Sequence, residues 1–363
     1  MPHSPLAGLD DKYEVLAKLR EGGMGAVYKV RHRLLEETRV IKVIRPHLEA
    51  DEELRRRFLR EARAAVRLRH PNIAQIYDFT VDEDGSALMV LEFIDGRDLA
   101  ELLRLRGRLS VELVLEVGAQ CAKALSYLHR NEFVHRDISP DNIMLTQDVE
   151  GQPLVKLIDL GIAKPLGGSL DLTGTGLFLG KIRYASPEQF RGGGLDRRSD
   201  LYSLGVALYE LATGRHPIVG DTSEAILAGH LHHPPRPFAE SDPGGAVPEP
   251  LRRALLRALA KKPEDRFPDA AALGDALGEI QATWTEPNLE ATLLERTLIA
   301  PRADEPTLVA EERPADPAAR LAELRQRVDE LLREGRLVDA EAALAGAGED
   351  LDAEGVAALR SRL

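Results

Sequence analysis

His135-Arg136-Asp137-Ile138-Ser139-Pro140-Asp141-Asn142, followed by Asp159-Leu160-Gly161 seventeen residues after Asn142, is the stretch on which the reading of this chain turns. Inside one short interval it supplies Asp137, a carboxylate able to accept a proton, and two hard-oxygen side chains suited to magnesium, Asn142 and Asp159. These are the groups needed to move the γ-phosphoryl of a nucleotide. A His-Arg-Asp triplet alone would suit a solvated loop equally well, so its surroundings decide.

Upstream, Gly22-Gly23-Met24-Gly25-Ala26-Val27 follows the apolar stretch from Tyr13 to Leu19, and Val40-Ile41-Lys42 ends a second strand-like segment. Downstream lie Ser186-Pro187-Glu188, Asp200-Leu201-Tyr202-Ser203-Leu204-Gly205 and Pro263-Glu264-Asp265-Arg266-Phe267. In this order the residues resemble the eukaryotic-type (Hanks-type) serine/threonine protein kinase family, in its bacterial branch, over about residues 13 to 280. The resemblance implies an α+β, bilobal protein kinase fold over 13–282: a small β-rich N-lobe over about 13–91, a hinge at 92–96 and a larger helical C-lobe over 97–282. It also implies ATP as phosphoryl donor, Mg2+ with Mn2+ as an alternative ion, and serine or threonine hydroxyls of proteins, including its own, as acceptors.

A chain of 363 residues with 44% hydrophobic side chains can bury one two-lobed domain and carry an appendage. It has no run of eighteen apolar residues, and Met1-Pro2-His3-Ser4 does not begin like a signal peptide, so a cytoplasmic protein with no membrane partner is expected. A formal charge of −12 argues against nucleic acid and anionic membranes as general partners. The single Cys121, among Val117, Ala122 and Leu125, reads as core filler rather than a reactive thiol.

Glycines at a strand-to-strand turn let backbone approach phosphates, although an ordinary hairpin explains the glycines alone equally well. The resemblance assigns Leu19, Gly22, Gly23, Gly25 and Val27 to nucleotide contact, while the first glycine of the family's G-x-G-x-x-G falls on Arg20. Lys42 is expected at the α- and β-phosphates. The helical stretch from Glu52 to Arg69 puts Glu61 on one face with Leu54, Phe58, Ala65 and Leu68. A carboxylate inside an apolar stripe needs a cation, and Lys42 is the expected partner; a solvated glutamate at the stripe's edge is the alternative. Ala87 to Gly96 reads as a strand breaking at Gly96. By resemblance Leu91 lies behind the adenine, and the backbone of Glu92 and Ile94 binds its edge.

For the chemical step the resemblance makes Asp137 the base, Asn142 and Asp159 the metal ligands, His135 a structural hydrogen-bonding residue and Arg136 a partner for phosphate on the activation segment. That segment runs from Asp159 to Glu188, with Thr173 and Thr175 as candidate autophosphorylation sites. Two positions depart from the family pattern H-R-D-x-K-P-x-N and G-T-x-x-Y. Ser139 stands where a lysine is usual and Lys181 where a threonine is usual. In the family those two lie side by side, so Lys181 is expected to return the ammonium and Ser139 the hydroxyl; two independent losses are the competing reading. Glu188 and Arg266 are expected to form a buried ion pair, and Asp200 to anchor the catalytic-loop backbone.

Residues 283–317 carry eight acidic and three basic side chains with five prolines, which reads as a flexible linker. Within it Glu290-Ala291-Thr292, Glu295-Arg296-Thr297 and Glu305-Pro306-Thr307 each precede two aliphatic residues. These threonines are candidates for autophosphorylation and docking of a phosphothreonine-binding domain of the FHA type, with chance similarity as the alternative. Over 318–363, Leu321, Leu324, Val328, Leu331 and Leu332 form a stripe ending near Gly335, and a tetratricopeptide-like helical hairpin is expected. Such a hairpin could dock on the kinase domain, make a homodimer or bind another protein. For the whole chain, an active kinase is the reading taken. A pseudokinase acting as a nucleotide-binding scaffold is the alternative, favoured by Arg20, Ser139 and Lys181. A small-molecule phosphotransferase would not be expected to pair Ser186-Pro187-Glu188 with Arg266.

Overall fold

Alternation of buried and half-buried side chains along Gly25-Ala26-Val27-Tyr28-Lys29-Val30 marks a strand with one face in a core. In the computed structural model, which describes residues 9, 11–22, 25–44, 52–81, 86–161, 182–192, 195–285 and 325 (backbone alone over 52–58), it is the second strand of an antiparallel sheet. The strands are β1 (Tyr13–Gly22), β2 (Gly25–His32), β3 (Thr38–Ile44), β4 (Ile76–Val81) and β5 (Ala87–Glu92), in spatial order β1-β2-β3-β5-β4. Leu9, Tyr13, Ala26, Tyr28, Val30, Ile41, Leu88 and Val90 form a core on one face. The ladder sets Val27 opposite Lys42, Lys29 opposite Val40, Lys42 opposite Met89 and Val40 opposite Leu91, so these residues share the other face.

Helix α1 (Glu52–Ala65) packs beside this sheet through Ala62 and Ala65, which belong to the same buried cluster as Met89 and Ile76. The expected helix to Arg69 stops early: the Ala64 and Ala65 carbonyls accept from the N–H groups of Arg67 and Leu68, three residues on, at 3.1 Å, and Arg69 turns its guanidinium back onto the carbonyls of Val66 and Leu68, at 2.6 and 2.9 Å. This satisfies acceptors that another helical turn would have used.

The helical lobe holds α2 (Leu99–Arg106), α3 (Val111–Arg130), α4 (Pro187–Arg191), α5 (Arg198–Thr213), α6 (Ser223–Leu231), α7 (Phe238–Ser241), α8 (Glu249–Ala258) and α9 (Ala270–Thr283). Asp98, Ser110, Thr222 and Asp269 begin α2, α3, α6 and α9 by accepting a backbone N–H in the first turn. A small antiparallel sheet of β6 (Arg97–Asp98), β7 (Ile143–Gln147) and β8 (Pro153–Leu157) carries the segment toward Asp159. Helix α5 is buried almost throughout, with Tyr202, Tyr209 and Leu204 inside the lobe's core between α3 and α8.

The α+β arrangement expected from the sequence, a small β-rich lobe followed by a larger helical one, is therefore what these elements build. Trp284 packs against the main core, so the folded unit runs past the point where the linker was expected to begin at 283. The remainder of that linker and, Arg325 apart, the 318–363 hairpin lie outside the described residues. No described helix is long and apolar enough to cross a membrane.

Candidate active site

The loop between α3 and β7 hangs from one carboxylate. Asp200, in the first turn of α5, accepts backbone N–H groups from His135 at 2.9 Å and Arg136 at 2.8 Å, and also accepts from the His129 ring at 2.8 Å. Burial by itself would raise its pKa, but the hydrogen bond and charge of His129, with the His135 N–H bond, win and hold it below the ordinary value. These bonds also support Arg136 in the left-handed backbone region at φ 63°.

His135 is fully buried, and its Nδ1 accepts from the Asp137 N–H at 3.3 Å. With Nδ1 accepting, Nε2 carries a proton and donates to the Ile158 carbonyl at 3.2 Å. The histidine thus joins the Asp137 loop to the residue before Asp159. Gly161 approaches the same loop so closely that a Cβ would stand 2.3 Å from the His135 carbonyl oxygen, at φ 35°. No larger residue fits there without displacing the loop.

Asn142 donates its amide N–H to the Asp137 carbonyl at 2.8 Å, and its own backbone carbonyl accepts from Ile158 at 3.0 Å. One hydrogen-bonded unit therefore runs from Asp137 through Asn142 to Ile158, the residue before Asp159. Spending the Asn142 nitrogen on protein leaves its amide oxygen as the group available to a cation. With the Asp159 carboxylate this is a hard-oxygen pair, which fits magnesium or manganese. Ser139 is buried in the same loop, its carbonyl accepting from the Asn142 N–H at 3.0 Å.

The expected Lys42–Glu61 ion pair is not present. Lys42 Nζ lies 2.5 Å from Asp159 Oδ1, while Glu61 Oε1 faces Arg136 Nη1 at 3.4 Å. Helical periodicity correctly turned Glu61 inward. It could not select between two cations separated widely in sequence, and the guanidinium of Arg136 takes the carboxylate. The lysine instead meets the nearer acid at the end of the loop, where Asp159 adopts φ 56°.

Around the mouth of the site, β1 and β2 meet with Gly22 opposite Gly25, and a Cβ on Gly25 would lie 1.9 Å from the Val43 carbonyl oxygen. Leu19 and Val27 are half-buried on these strands. Beside Leu91, the Glu92 N–H is bonded to the Gln75 carbonyl at 2.9 Å, and the Glu92 carboxylate holds Lys156 of β8 at 2.7 Å. Ile94 packs with Ala74, Met144 and Ile158. Val40 and Met144 were not singled out from the sequence. The first shares the Lys42 face of the sheet, and the second packs with Ile94 of the hinge and Ile158, the residue before Asp159. Strand parity, counted from Lys42 and from Asn142, is the signal that would have found them.

Helix α4 fixes the far side. Arg266 is fully buried and grips Glu188 with two parallel hydrogen bonds of 2.7 and 2.9 Å, while Ser199 donates to the same carboxylate at 2.7 Å. Burial pushes the Glu188 pKa up, but Arg266 more than offsets it and the net shift is downward. Gln189, also not anticipated, donates to the Arg136 carbonyl at 3.2 Å and ties α4 to the catalytic loop. Cys121 is fully buried, and burial pushes its thiol pKa far up, as core filler requires. Gly23, Thr173, Thr175 and Lys181 lie outside the described residues.

Comparison with known proteins agrees with this geometry. The family model of the protein kinase domain matches residues 13–273. The chain is 40% identical over 278 residues to the serine/threonine-protein kinase pkn3 of Myxococcus xanthus, a match covering 76% of this chain and 50% of the relative. It is 37% identical over 269 residues to the serine/threonine-protein kinase PknB of Mycobacterium leprae, covering 73% of this chain and 42% of the relative. The chain thus spans half or less of the length of these two relatives. Among solved structures, the PknI kinase domain of Mycobacterium tuberculosis superposes with a TM-score of 0.58 at 31% identity, covering 74% of this chain and 96% of that one. Shared sequence over three quarters of the chain, a shared fold and the Asp137–Asn142–Asp159 site lead to one conclusion: the chain belongs to the protein kinase domain family.

Proposed function

We propose that this protein is a serine/threonine protein kinase that transfers the γ-phosphoryl of ATP to protein hydroxyls and phosphorylates its own activation segment. The observation that carries this reading is the hydrogen-bonded unit running from Asp137 through Asn142 to Ile158, the residue before Asp159, with Lys42 docked on Asp159 at 2.5 Å. A proton acceptor, two hard-oxygen ligands and a phosphate-binding cation stand together. The substrate hydroxyl oxygen attacks the γ-phosphorus, the bond to the β–γ bridging oxygen breaks, and ADP leaves with that electron pair. Asp137 takes or orients the hydroxyl proton. Asn142 and Asp159 would hold magnesium, which when bound would supply positive charge to the phosphate oxygens. Val27, Val40 and Met144 would contact the adenine, and the Glu92 carbonyl and the Ile94 backbone would bind its edge. ATP as donor is what supports a cytoplasmic site of action.

Arg136 has a second role in this reading. Phosphate on Thr173 or Thr175 competes with Glu61 for its guanidinium, and Glu61, once released, becomes available to Lys42. The tail threonines Thr292, Thr297 and Thr307 are further autophosphorylation sites, available to an FHA-type partner. The hairpin over 318–363 is a site for protein contact, a second copy included.

Initial-rate assays with ATP, magnesium and a serine- and threonine-containing peptide test the reading. Turnover in the unmodified chain and its loss in Asp137→Asn are expected. The alternative, a nucleotide-binding scaffold, is favoured by Ser139 at the usual lysine position; nucleotide binding without turnover in the unmodified chain would establish it.

A further inference from the structure

Lys29 is two residue pairs along the ladder from Lys42. It lies opposite Val40, as Val27 lies opposite Lys42, so its side chain leaves the sheet on the cleft face. There it does not run out to solvent. Its ammonium sits over the Phe93 ring, 4.3 Å from the centroid, and both residues are half-buried. Phe93 is the hinge residue between Glu92 and Ile94. The hinge is also tied below, since Glu92 binds Lys156 of β8 at 2.7 Å and accepts from the Gln75 N–H at 3.0 Å. A cation on the roof strand is therefore coupled, through the hinge, to the helical lobe.

We propose that the Lys29–Phe93 cation–π contact is a latch that holds the β2 roof against the hinge at the outer rim of the nucleotide cleft, making Lys29 a positioning residue for ATP. This inference rests on the nucleotide-site reading given above and goes beyond it. The latch acts by pre-organisation: a roof already held at the hinge loses less freedom when nucleotide enters. The bond-making groups Asp137, Asn142 and Asp159 do not touch it, so it changes nucleotide affinity and leaves the chemical step alone.

The test uses the full chain and its Lys29→Met, Lys29→Arg and Phe93→Leu variants, with calorimetric binding of ADP and magnesium beside initial-rate kinetics. Removing a partly exposed cation–π contact is expected to weaken ADP binding and raise KM for ATP about two- to fivefold with kcat unchanged. Lys29→Arg, which keeps a cation over the ring, should bind like the unmodified chain. The Lys29→Met/Phe93→Leu double variant should be no weaker than either single one. A role confined to folding would lower the melting temperature without nucleotide; here that value should hold, and only the rise on adding ADP should shrink. Unchanged ADP affinity in Lys29→Met, with the unmodified chain binding and turning over normally, would overturn the latch and leave the kinase reading standing. Failure of the unmodified chain to bind ADP would overturn the nucleotide site itself, and the latch with it.

Discussion

Asp137 is placed by three separate restraints: its N–H on His135, its carbonyl on Asn142 and, one residue earlier, the Arg136 N–H on Asp200. Asp137→Asn preserves the shape of this loop but removes the proton acceptor. Turnover should fall by about 10²- to 10⁴-fold, with ADP affinity retained; near-normal kcat in a steady-state assay would remove Asp137 from the chemistry. A proposed exchange of roles between Ser139 and Lys181 makes a sharper demand. Lys181→Thr should damage turnover, and adding Ser139→Lys should recover much of it; additive damage in the double variant would show two unrelated changes. The residue types of the site were legible because phosphoryl transfer needs particular groups at particular spacings. Their partners were not. Periodicity turned Glu61 inward, yet which cation meets it depends on how α1 sits over a loop far along the chain. Gln189 and the Glu92–Lys156 pair were hidden for the same reason.

At the scale of elements, helix α4 shows how much a short segment depends on a distant residue. Its five residues have little helical stability of their own. They are held by Arg266, whose guanidinium also donates to the carbonyls of Ala260, Arg198 and Lys261 and lies over the Tyr202 ring. Removing either member of the pair strands the other charge in the interior. Arg266→Met or Glu188→Gln should therefore cost about 3–5 kcal/mol in urea unfolding. A double change to apolar residues should cost less than the sum of the two, and a loss below about 1 kcal/mol for Arg266→Met would show the pair to be effectively solvated. The strands and helices themselves were legible from alternation, capping residues and glycines. Element ends were less so: α1 stops at Ala65, where the Ala64 and Ala65 carbonyls accept from Arg67 and Leu68 in a tightened last turn, and α9 carries Trp284 onto the core.

For the whole molecule, pH is the variable to which the buried histidines are most sensitive. Burial, reinforced by Arg183 near His216 and by His216 and Lys261 near His230, pushes both imidazole pKa values down to about 3. The unfolded chain takes up a proton at each histidine near its ordinary pKa of about 6.5, whereas the folded chain does not. Stability complete above that pH is thus lost on acidification, by about 1.4 kcal/mol per pH unit for each residue. The depressed pKa values of Asp200 and Glu188 act in the same direction at lower pH, below the ordinary carboxylate range. Glu210 and Asp98, raised by burial, oppose the trend only as the carboxylate range is approached. The urea midpoint should drop between about pH 7.5 and pH 5.5, and His216→Gln with His230→Gln should flatten that dependence; equal midpoints at both pH values would mean that these rings reach solvent.

The claim on which everything else depends is phosphoryl transfer by Asp137, and intact-mass and peptide mass spectrometry of the purified chain after incubation with ATP and magnesium tests it directly, beside Asp137→Asn. Phosphate on Thr173, Thr175 or the tail threonines of the unmodified chain, and none on the variant, is the expected result. No phosphate on either protein while nucleotide still binds, or equal phosphate on both, would contradict it.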